Sequence, residues 1–245
     1  MNLLIQLFVA SLIFILLIFS ILNVSIKDNK FTCNRYILNT YLYIILTVNI
    51  IALLLLSLEY LNIEFSPSLL VFLAIFLVSI GCIILLHLID PINIILKHLV
   101  WLVLVLSLGV IFYPMYSLFR ERKHIILMAM ATTLCLFVGL SIIAYIKPEW
   151  ISLSWGPILL ILLLGGIIME LFTYFLYRNN RTKISNVLRG FSYFFIIVFM
   201  FFILYDTKRL QINARECVKA DYIKESLGLF LDIFNIFVRI LGLSR

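Results

Sequence analysis

Charged residues are scarce in this chain. Asp, Glu, Lys and Arg together make up 13% of its 245 residues, whereas 64% are hydrophobic. A soluble domain of this length needs far more polar surface, so the composition excludes a soluble globular protein and indicates a membrane protein. The formal charge of +7 is spread over short polar breaks. That distribution is typical of residues at a membrane surface and excludes a nucleic-acid partner.

The usual signatures of catalytic and metal-binding domains are also missing. There is no phosphate-binding loop, no nucleophile elbow and no HExxH pair, and the three histidines share no metal-ligand spacing. The four cysteines (Cys33, Cys82, Cys135 and Cys217) lie in separate segments without a CxxC pair. We therefore expect small packing cysteines and no disulfide framework, and we predict neither an enzyme nor a bound cofactor.

Long apolar runs take up most of the chain. About 20 apolar residues form a helix that crosses the hydrocarbon core of a bilayer. Eight segments approach this length, near 3–24, 36–58, 69–89, 99–119, 125–145, 158–177, 190–206 and 225–243. They predict an all-α fold, a polytopic membrane helical bundle in contact with the lipid bilayer.

The first apolar run bears on orientation. No basic residue precedes it, whereas Lys27, Lys30 and Arg35 follow it, which favours a cytoplasmic first loop. With that orientation, the cytoplasmic loops carry only slightly more Lys and Arg than the opposite loops. The segment 207–224 would be the most basic of these loops, and it is the only one long enough for structure of its own.

Three acidic residues, Glu170, Asp206 and Asp232, fall inside apolar segments. Ionised groups are costly in lipid, so such residues often mark an ion or proton route. If the last two segments run antiparallel, Asp206 and Asp232 lie toward the same side of the membrane. Two carboxylates in contact cannot both ionise cheaply, so we expect them to share a proton. The alternative for Asp206 is a carboxylate at the end of a span, near Lys208 in the headgroup region.

The last apolar segment carries a polar stripe. Its members recur every three or four residues and share one helix face: Glu225, Gly228, Asp232, Asn235, Arg239 and Gly242. The stripe is expected to face the bundle interior or a water path. The alternative is a packing face on which Asp232 bonds to Asn235 or to nearby backbone. Glu170, a candidate pore-lining residue, could be protonated, paired with a basic group or part of the same cavity.

Near its carboxy terminus the chain resembles a known family. Tyr205-Asp206-Thr207, Asp221-Tyr222-Ile223 and the stretch Ser226–Phe237 are similar to the signature of the Bax inhibitor-1 (transmembrane Bax inhibitor motif) family. Weaker similarity reaches back to about Cys33. The resemblance implies two domains: residues 1–30, an extra amino-terminal transmembrane segment, and residues 31–245, a seven-helix membrane domain.

The resemblance also implies a function. Family members leak calcium across endoplasmic reticulum, Golgi or bacterial plasma membranes, and eukaryotic and some viral members suppress apoptosis. Its two gating aspartates correspond to Asp206 and Asp232, which would sense pH and bind calcium transiently as the permeant ion. Asn235, Arg239 and Glu225 would support them. Apoptosis-regulating membrane proteins are the implied protein partners.

The chain departs from this family in two places. Residues 1–24 add a helix, and the region from Leu86 to Lys97 lacks an arginine that often interacts with the aspartates in family members. His87, Lys97 and Arg239 are the candidates to replace its charge.

Two other functions remain open from the sequence. The first is an anti-apoptotic interaction protein in which the aspartates are structural. The second is an intramembrane aspartyl protease, which also pairs a Tyr-Asp with an aspartate in the next span. Residues 229–232 read Leu-Phe-Leu-Asp and not the Gly-x-Gly-Asp of such proteases, so the protease is the less favoured of the two.

Overall fold

The protein is helical along almost its whole length. The computed structural model describes residues 3–27, 30–63, 67–177 and 181–244. In those ranges it forms eight α-helices, numbered α1 to α8: Leu3–Val24, Tyr36–Tyr60, Leu69–Leu88, Ile94–Phe119, Lys123–Ile146, Trp155–Tyr177, Arg181–Arg215 and Tyr222–Leu243. The polar breaks between the predicted segments include residues 28–29, 64–66 and 178–180, which lie outside the described ranges. The prediction of an all-α membrane bundle is confirmed.

The helices have the length and composition of membrane spans. Helices α4 and α5 are joined by a 3-10 turn at Arg120–Arg122 and can be counted as one helix, Ile94–Ile146. Counted in this way, seven apolar helices within the described residues are long enough to cross a bilayer. This helix has 53 residues. At about 1.5 Å per residue, it has the length for two crossings of a hydrocarbon core of about 30 Å.

Helix α7 is much longer than the sequence suggested. We expected its span to end at Asp206, but the helix runs on to Arg215, so the predicted loop 207–224 shrinks to a connector of residues 216–221. The charges after Asp206 pointed to a helix end, yet the stretch contains no Gly or Pro to stop the helix. Its buried residues recur at helical spacing: Ile203, Thr207, Leu210 and Gln211.

The helices form two compact units. The first comprises Met1–Glu121 and Ala214–Leu227, and the second comprises Arg122–Asn213 and Gly228–Arg245. The division of the chain into domains at residues 30 and 31 is a separate expectation, and it stays a prediction. In the first unit α1 packs against α2, and α4 packs against both α2 and α3. The side-chain amide of Asn49 in α2 donates a hydrogen bond to the carbonyl of Ala10 in α1, at 3.3 Å.

A disulfide in the first unit corrects the expectation for the cysteines. Cys33 and Cys217 are bonded, whereas Cys82 and Cys135 are free thiols. The two bonded residues are separated by 184 positions. No short spacing links these two cysteines, and the helices bring them together from distant parts of the chain. The disulfide joins the connector to the segment after a small antiparallel hairpin, β1 (Ile26–Lys27) and β2 (Lys30–Phe31).

Candidate functional site

The two aspartates lie at matching positions on consecutive helices. Asp206 precedes the end of α7 by nine residues, and Asp232 follows the start of α8 by ten. At about 1.5 Å per residue, each carboxylate lies about 15 Å from the connector end of its helix. Asp206 therefore lies inside α7 and not at the end of that helix.

The carboxylate of Asp206 lies directly against the backbone of α8. A Cβ atom at Gly228 would come within 2.8 Å of its Oδ2 atom. A residue with a side chain at this position would therefore displace the carboxylate. Because Gly228 lies one helical turn before Asp232, the α7 carboxylate is placed on the polar stripe of α8.

Asp232 is buried with one oxygen unsatisfied. Its residue exposure is 6%, and Oδ2 has no hydrogen-bond partner among the described residues. The nearby charge of Asp206 acts on it electrostatically. The side-chain amide of Asn235 donates to the carbonyl of Leu231 at 2.8 Å. The alternative in which the Asn235 amide satisfies Asp232 is therefore not the arrangement found. A buried carboxylate oxygen without a partner is costly, which makes this group a candidate for a functional role.

Helix α6 approaches α7 through two glycines. A Cβ at Gly156 would lie 2.7 Å from the hydroxyl oxygen of Tyr205, next to Asp206. A Cβ at Gly166 would lie 2.7 Å from the ring of Phe194. Gly166 therefore allows close helix approach, whereas Gly165, directly before it, has open space around its Cβ position.

Further contacts fix the end of α7 that leads to the connector. Nζ of Lys208 donates to the carbonyl of Ile151, and the side-chain amide of Gln211 donates to the carbonyl of Ala144 at 3.1 Å. Both acceptors lie at or just after the end of α5. These two contacts tie α7 to the end of α5 just after Asp206 in the sequence, on the side that leads to the connector.

Glu170 and Arg239 form an ion pair between α6 and α8. The guanidinium donates two hydrogen bonds to the carboxylate, at 2.6 and 2.9 Å. The same guanidinium lies 4.3 Å from the centre of the buried Phe195 ring on α7. Of the three possibilities left open for Glu170, the structure therefore shows pairing with a basic group. A planar two-bond pair of this kind is how a membrane helix accommodates arginine.

The remaining candidate residues from the sequence lie on α3, α4 and α8. Glu225 is in the first turn of α8. Lys97, a candidate to replace the family arginine, instead forms an ion pair with Asp221 and donates to the carbonyl of Ile89 at 3.1 Å. Nδ1 of His87 is within hydrogen-bonding distance of the carbonyl of Ile83.

Sequence reasoning missed the Lys97–Asp221 pair. The lysine side chain is 1% exposed and the aspartate side chain 15% exposed. The available signal was a lysine inside the apolar run that begins α4, together with Asp221 directly before α8. Nothing in the sequence links two positions so far apart. Within the described residues no cluster of three or more acidic, His or Cys side chains is arranged to hold a metal ion.

The comparisons with known proteins agree with the helical architecture and the carboxy-terminal motif. A family model described as "Inhibitor of apoptosis-promoting Bax1" matches residues 33–244, from the disulfide-bonded Cys33 to the end of α8. No individual curated protein matches the chain. The family match covers seven of the eight helices and leaves out α1. From Cys33 onward the chain has the sequence pattern of one family of multi-pass membrane proteins, and it belongs to the Bax inhibitor-1 family.

Proposed function

We propose that this protein is a calcium-permeable leak pathway of an intracellular membrane, the endoplasmic reticulum or Golgi, that protects cells from apoptosis. Protonation of the Asp206–Asp232 pair would gate the leak. The observation that carries the proposal is the Asp206 carboxylate against Gly228, one turn from the Asp232 oxygen that has no hydrogen-bond partner among the described residues. Family membership supports the coarser part, an anti-apoptotic membrane protein.

The chemistry of the pair is suited to a hard cation. Carboxylate oxygens are preferred ligands of Ca²⁺, and two adjacent acids supply them without a permanent metal cluster. In a low-dielectric site two neighbouring carboxylates repel, and a shared proton relieves that repulsion. Protonation would therefore remove the negative charge that attracts the cation, which couples the leak to pH.

The Glu170–Arg239 pair contributes to the same proposal. Arg239 lies two helical turns beyond Asp232 on α8, so its charge alone would repel a cation that had passed the aspartates. Glu170 neutralises that charge through two hydrogen bonds. We propose that this neutralisation keeps the second half of the pathway permeable to cations.

Calcium flux into reconstituted vesicles tests the gate. Asp232→Asn and Asp206→Asn imitate the protonated acid at nearly constant shape, so we expect each variant to lose the dependence of flux on pH. Asp90→Asn is the matched control, because Asp90 is an exposed aspartate that pairs with Lys219. A normal pH response in both of the first two variants would contradict the gating proposal.

A cell-death assay separates the leak from the interaction function. If protection depends on calcium leak, the Asp206→Asn/Asp232→Asn double variant should lose flux and protection together. Protection that persists without flux would instead favour an interaction protein with structural aspartates. Cleavage of a peptide substrate, blocked by a transition-state-analogue inhibitor, would be the result expected of an aspartyl protease.

A further inference from the structure

Three buried side-chain oxygens of the second unit have no hydrogen-bond partner among the described residues. They are Oδ2 of Asp232 on α8, Oγ1 of Thr207 on α7 and Oγ of Ser141 on α5. Thr207 is 3% exposed and follows Asp206 directly in the chain. The proposed gate uses the carboxyl group of Asp232 and gives the two hydroxyl groups no role.

These two hydroxyl groups differ from other hydroxyl groups on the same helices. A serine or threonine inside a helix can donate to a carbonyl of its own helix, four residues earlier. Thr133 on α5 and Ser192 on α7 do this, at 2.8 and 3.0 Å. Ser141 and Thr207 are not bonded in this way. Their hydroxyl groups are therefore available to a ligand from outside their own helix.

Helices α5 and α7 run in the same direction through the second unit. Gly156 near the start of α6 lies against Tyr205 of α7, whereas Gly166, further along α6, lies against Phe194, earlier in α7. Helix α6 is therefore antiparallel to α7. Helix α5 is joined to α6 by the short segment 147–154, so it also runs opposite to α6 and parallel to α7.

A hydrogen bond between α5 and α7 sets their register. The side-chain amide of Gln211 donates to the carbonyl of Ala144 at 3.1 Å. One turn earlier on each helix, Ser141 lies on the Ala144 face of α5 and Thr207 lies on the Gln211 face of α7. Three residues of α5 and four residues of α7 rise about 4.5 and 6 Å, so the two hydroxyl groups lie at nearly the same level. The register therefore brings both to the interface of α5 and α7, beside Asp206.

A bound water suits these two groups better than a metal ion does. Each hydroxyl group can donate one hydrogen bond and accept others, and a buried water makes about three hydrogen bonds. Neither hydroxyl group is charged, and the described residues contain no cluster of acidic, His or Cys side chains arranged for a metal. Polar groups inside a membrane protein must be satisfied internally, and one bridging water satisfies both hydroxyl groups at once.

We propose that Ser141 and Thr207 hold a water molecule between α5 and α7, and that this site supplies water to the neighbouring aspartate pair. Adjacent backbone positions of α7 carry the Thr207 hydroxyl group and the Asp206 carboxylate. Ionisable groups inside a membrane protein that pass protons or ions face water-filled space. The water site itself does not depend on calcium leak, whereas its supply of water to the pair rests on the proposed function.

Thermal unfolding in detergent tests whether the two hydroxyl groups share a ligand. Ser141→Ala and Thr207→Val each remove one partner of the water and leave the other hydroxyl group buried. We therefore expect each variant to lower the unfolding temperature by about 2–4 °C. The double variant should lose no more than the larger single loss, because it removes both hydroxyl groups.

Thr133→Val is the matched control for this experiment, because the Thr133 hydroxyl group is bonded within α5. Its effect on the unfolding temperature should add to that of Thr207→Val. A higher unfolding temperature in Ser141→Ala or Thr207→Val would show a hydroxyl group without any ligand. Additive losses in the double variant would show two independent hydroxyl groups. Either result would overturn the water site.

Hydrogen exchange at a thiol tests whether water reaches the site. Cys82 and Cys135 are the free thiols of the described chain, so Cys82→Ser/Cys135→Ser removes both, and adding Ser141→Cys places one thiol at the site. After transfer to D₂O, infrared spectroscopy should show the S–H stretching band of this thiol replaced by an S–D band. We expect this exchange to be several-fold faster than that of buried Cys82 in a Cys135→Ser variant. Equal exchange rates would overturn the water site.

Calcium flux tests the link between the water site and the aspartates. We expect Ser141→Ala/Thr207→Val to lower the flux into vesicles several-fold and Thr133→Val to leave it unchanged. Unchanged flux in the double variant would overturn the supply of water to the pair. A wild-type protein without flux would contradict the proposed function, whereas the unfolding and exchange results would still decide the water site.

Discussion

Gly228 on α8 and the carboxylate of Asp206 on α7 are in direct contact, with room for a hydrogen at the glycine and none for a methyl group. The position where a Cβ would stand is 2.8 Å from Oδ2 of Asp206. This contact places one acid of the pair on the stripe that carries the other. A glycine that sequence analysis counted only as a small member of the stripe therefore sets the geometry of the site.

Gly228→Ala should change the pH response of calcium flux more than it changes the stability of the fold. The new methyl group would push the end of the Asp206 side chain away from α8, so we expect the pH response of calcium flux to weaken. Alanine favours helix over glycine by about 1 kcal/mol, which offsets part of the overpacking cost. Gly139→Ala in α5 is the control, because nothing lies within 4 Å of its Cβ position. A normal flux profile in Gly228→Ala would show that the contact is unimportant for gating.

Gly166→Ala should destabilise the helical bundle. Its Cβ would meet the rings of Phe194 at 2.7 Å and Phe195 at 3.0 Å, and these rings are packed between helices. We expect a loss of roughly 1–3 kcal/mol in the free energy of unfolding, measured in detergent. Gly165→Ala provides a control one residue away, because that position has open space. Equal stabilities of the two variants would contradict the close packing at Gly166.

Replacing one member of the Glu170–Arg239 pair should lower the free energy of unfolding more than replacing both members. Glu170→Gln leaves Arg239 without its counter-charge, so we expect a loss of roughly 2–3 kcal/mol in the free energy of unfolding. The value lies below that for a fully buried pair, since the side chains are 24% and 21% exposed. Arg239→Gln should behave similarly, and the double variant should recover much of the loss. Thermal unfolding of all four proteins gives the coupling energy, and additive losses would contradict the pair.

The pH response of the leak should not come from the connector. The hydrogen bond from Lys219 lowers the pKa of Asp90 from its ordinary value of 3.8. The stabilisation from a lowered carboxyl pKa is present above the ordinary value and is lost as the pH falls through the lowered one. Between about pH 5 and 8, Asp90 therefore stays ionised. Asp90→Asn should leave the flux profile unchanged over this range, and a shifted profile would mean that the connector takes part in gating.

The helical architecture could be predicted because it depends on local pattern. Apolar runs of bilayer length predicted each helix, and the spacing from Glu225 to Gly242 predicted the stripe on α8. The predicted end of α7 was wrong. The charges after Asp206 suggested a boundary, whereas buried residues such as Leu210 continue the helical face. Burial depends on neighbouring helices, which the sequence alone does not provide.

Pairings between distant residues could not be predicted for the same reason. The sequence left three states open for Glu170 (protonated, paired with a basic group, or part of the cavity), and only the packing of α6, α7 and α8 places Arg239 against it. The bond between Cys33 and Cys217 spans 184 positions and has no local spacing to reveal it. Gly165 and Gly166 are equivalent in sequence, and the direction in which each faces decides which one packs.

The hydrogen bond from Asn49 to Ala10 has a consequence for expressing this protein. Asn49 lies in α2, inside the family-matched region, and its acceptor lies in α1, outside that region. A shortened protein that starts at Cys33 would present the amide of Asn49 to lipid without this acceptor, at a site that is 8% exposed in the full chain. A shortened protein for reconstitution should therefore keep α1, because the family-matched region alone lacks the acceptor for Asn49.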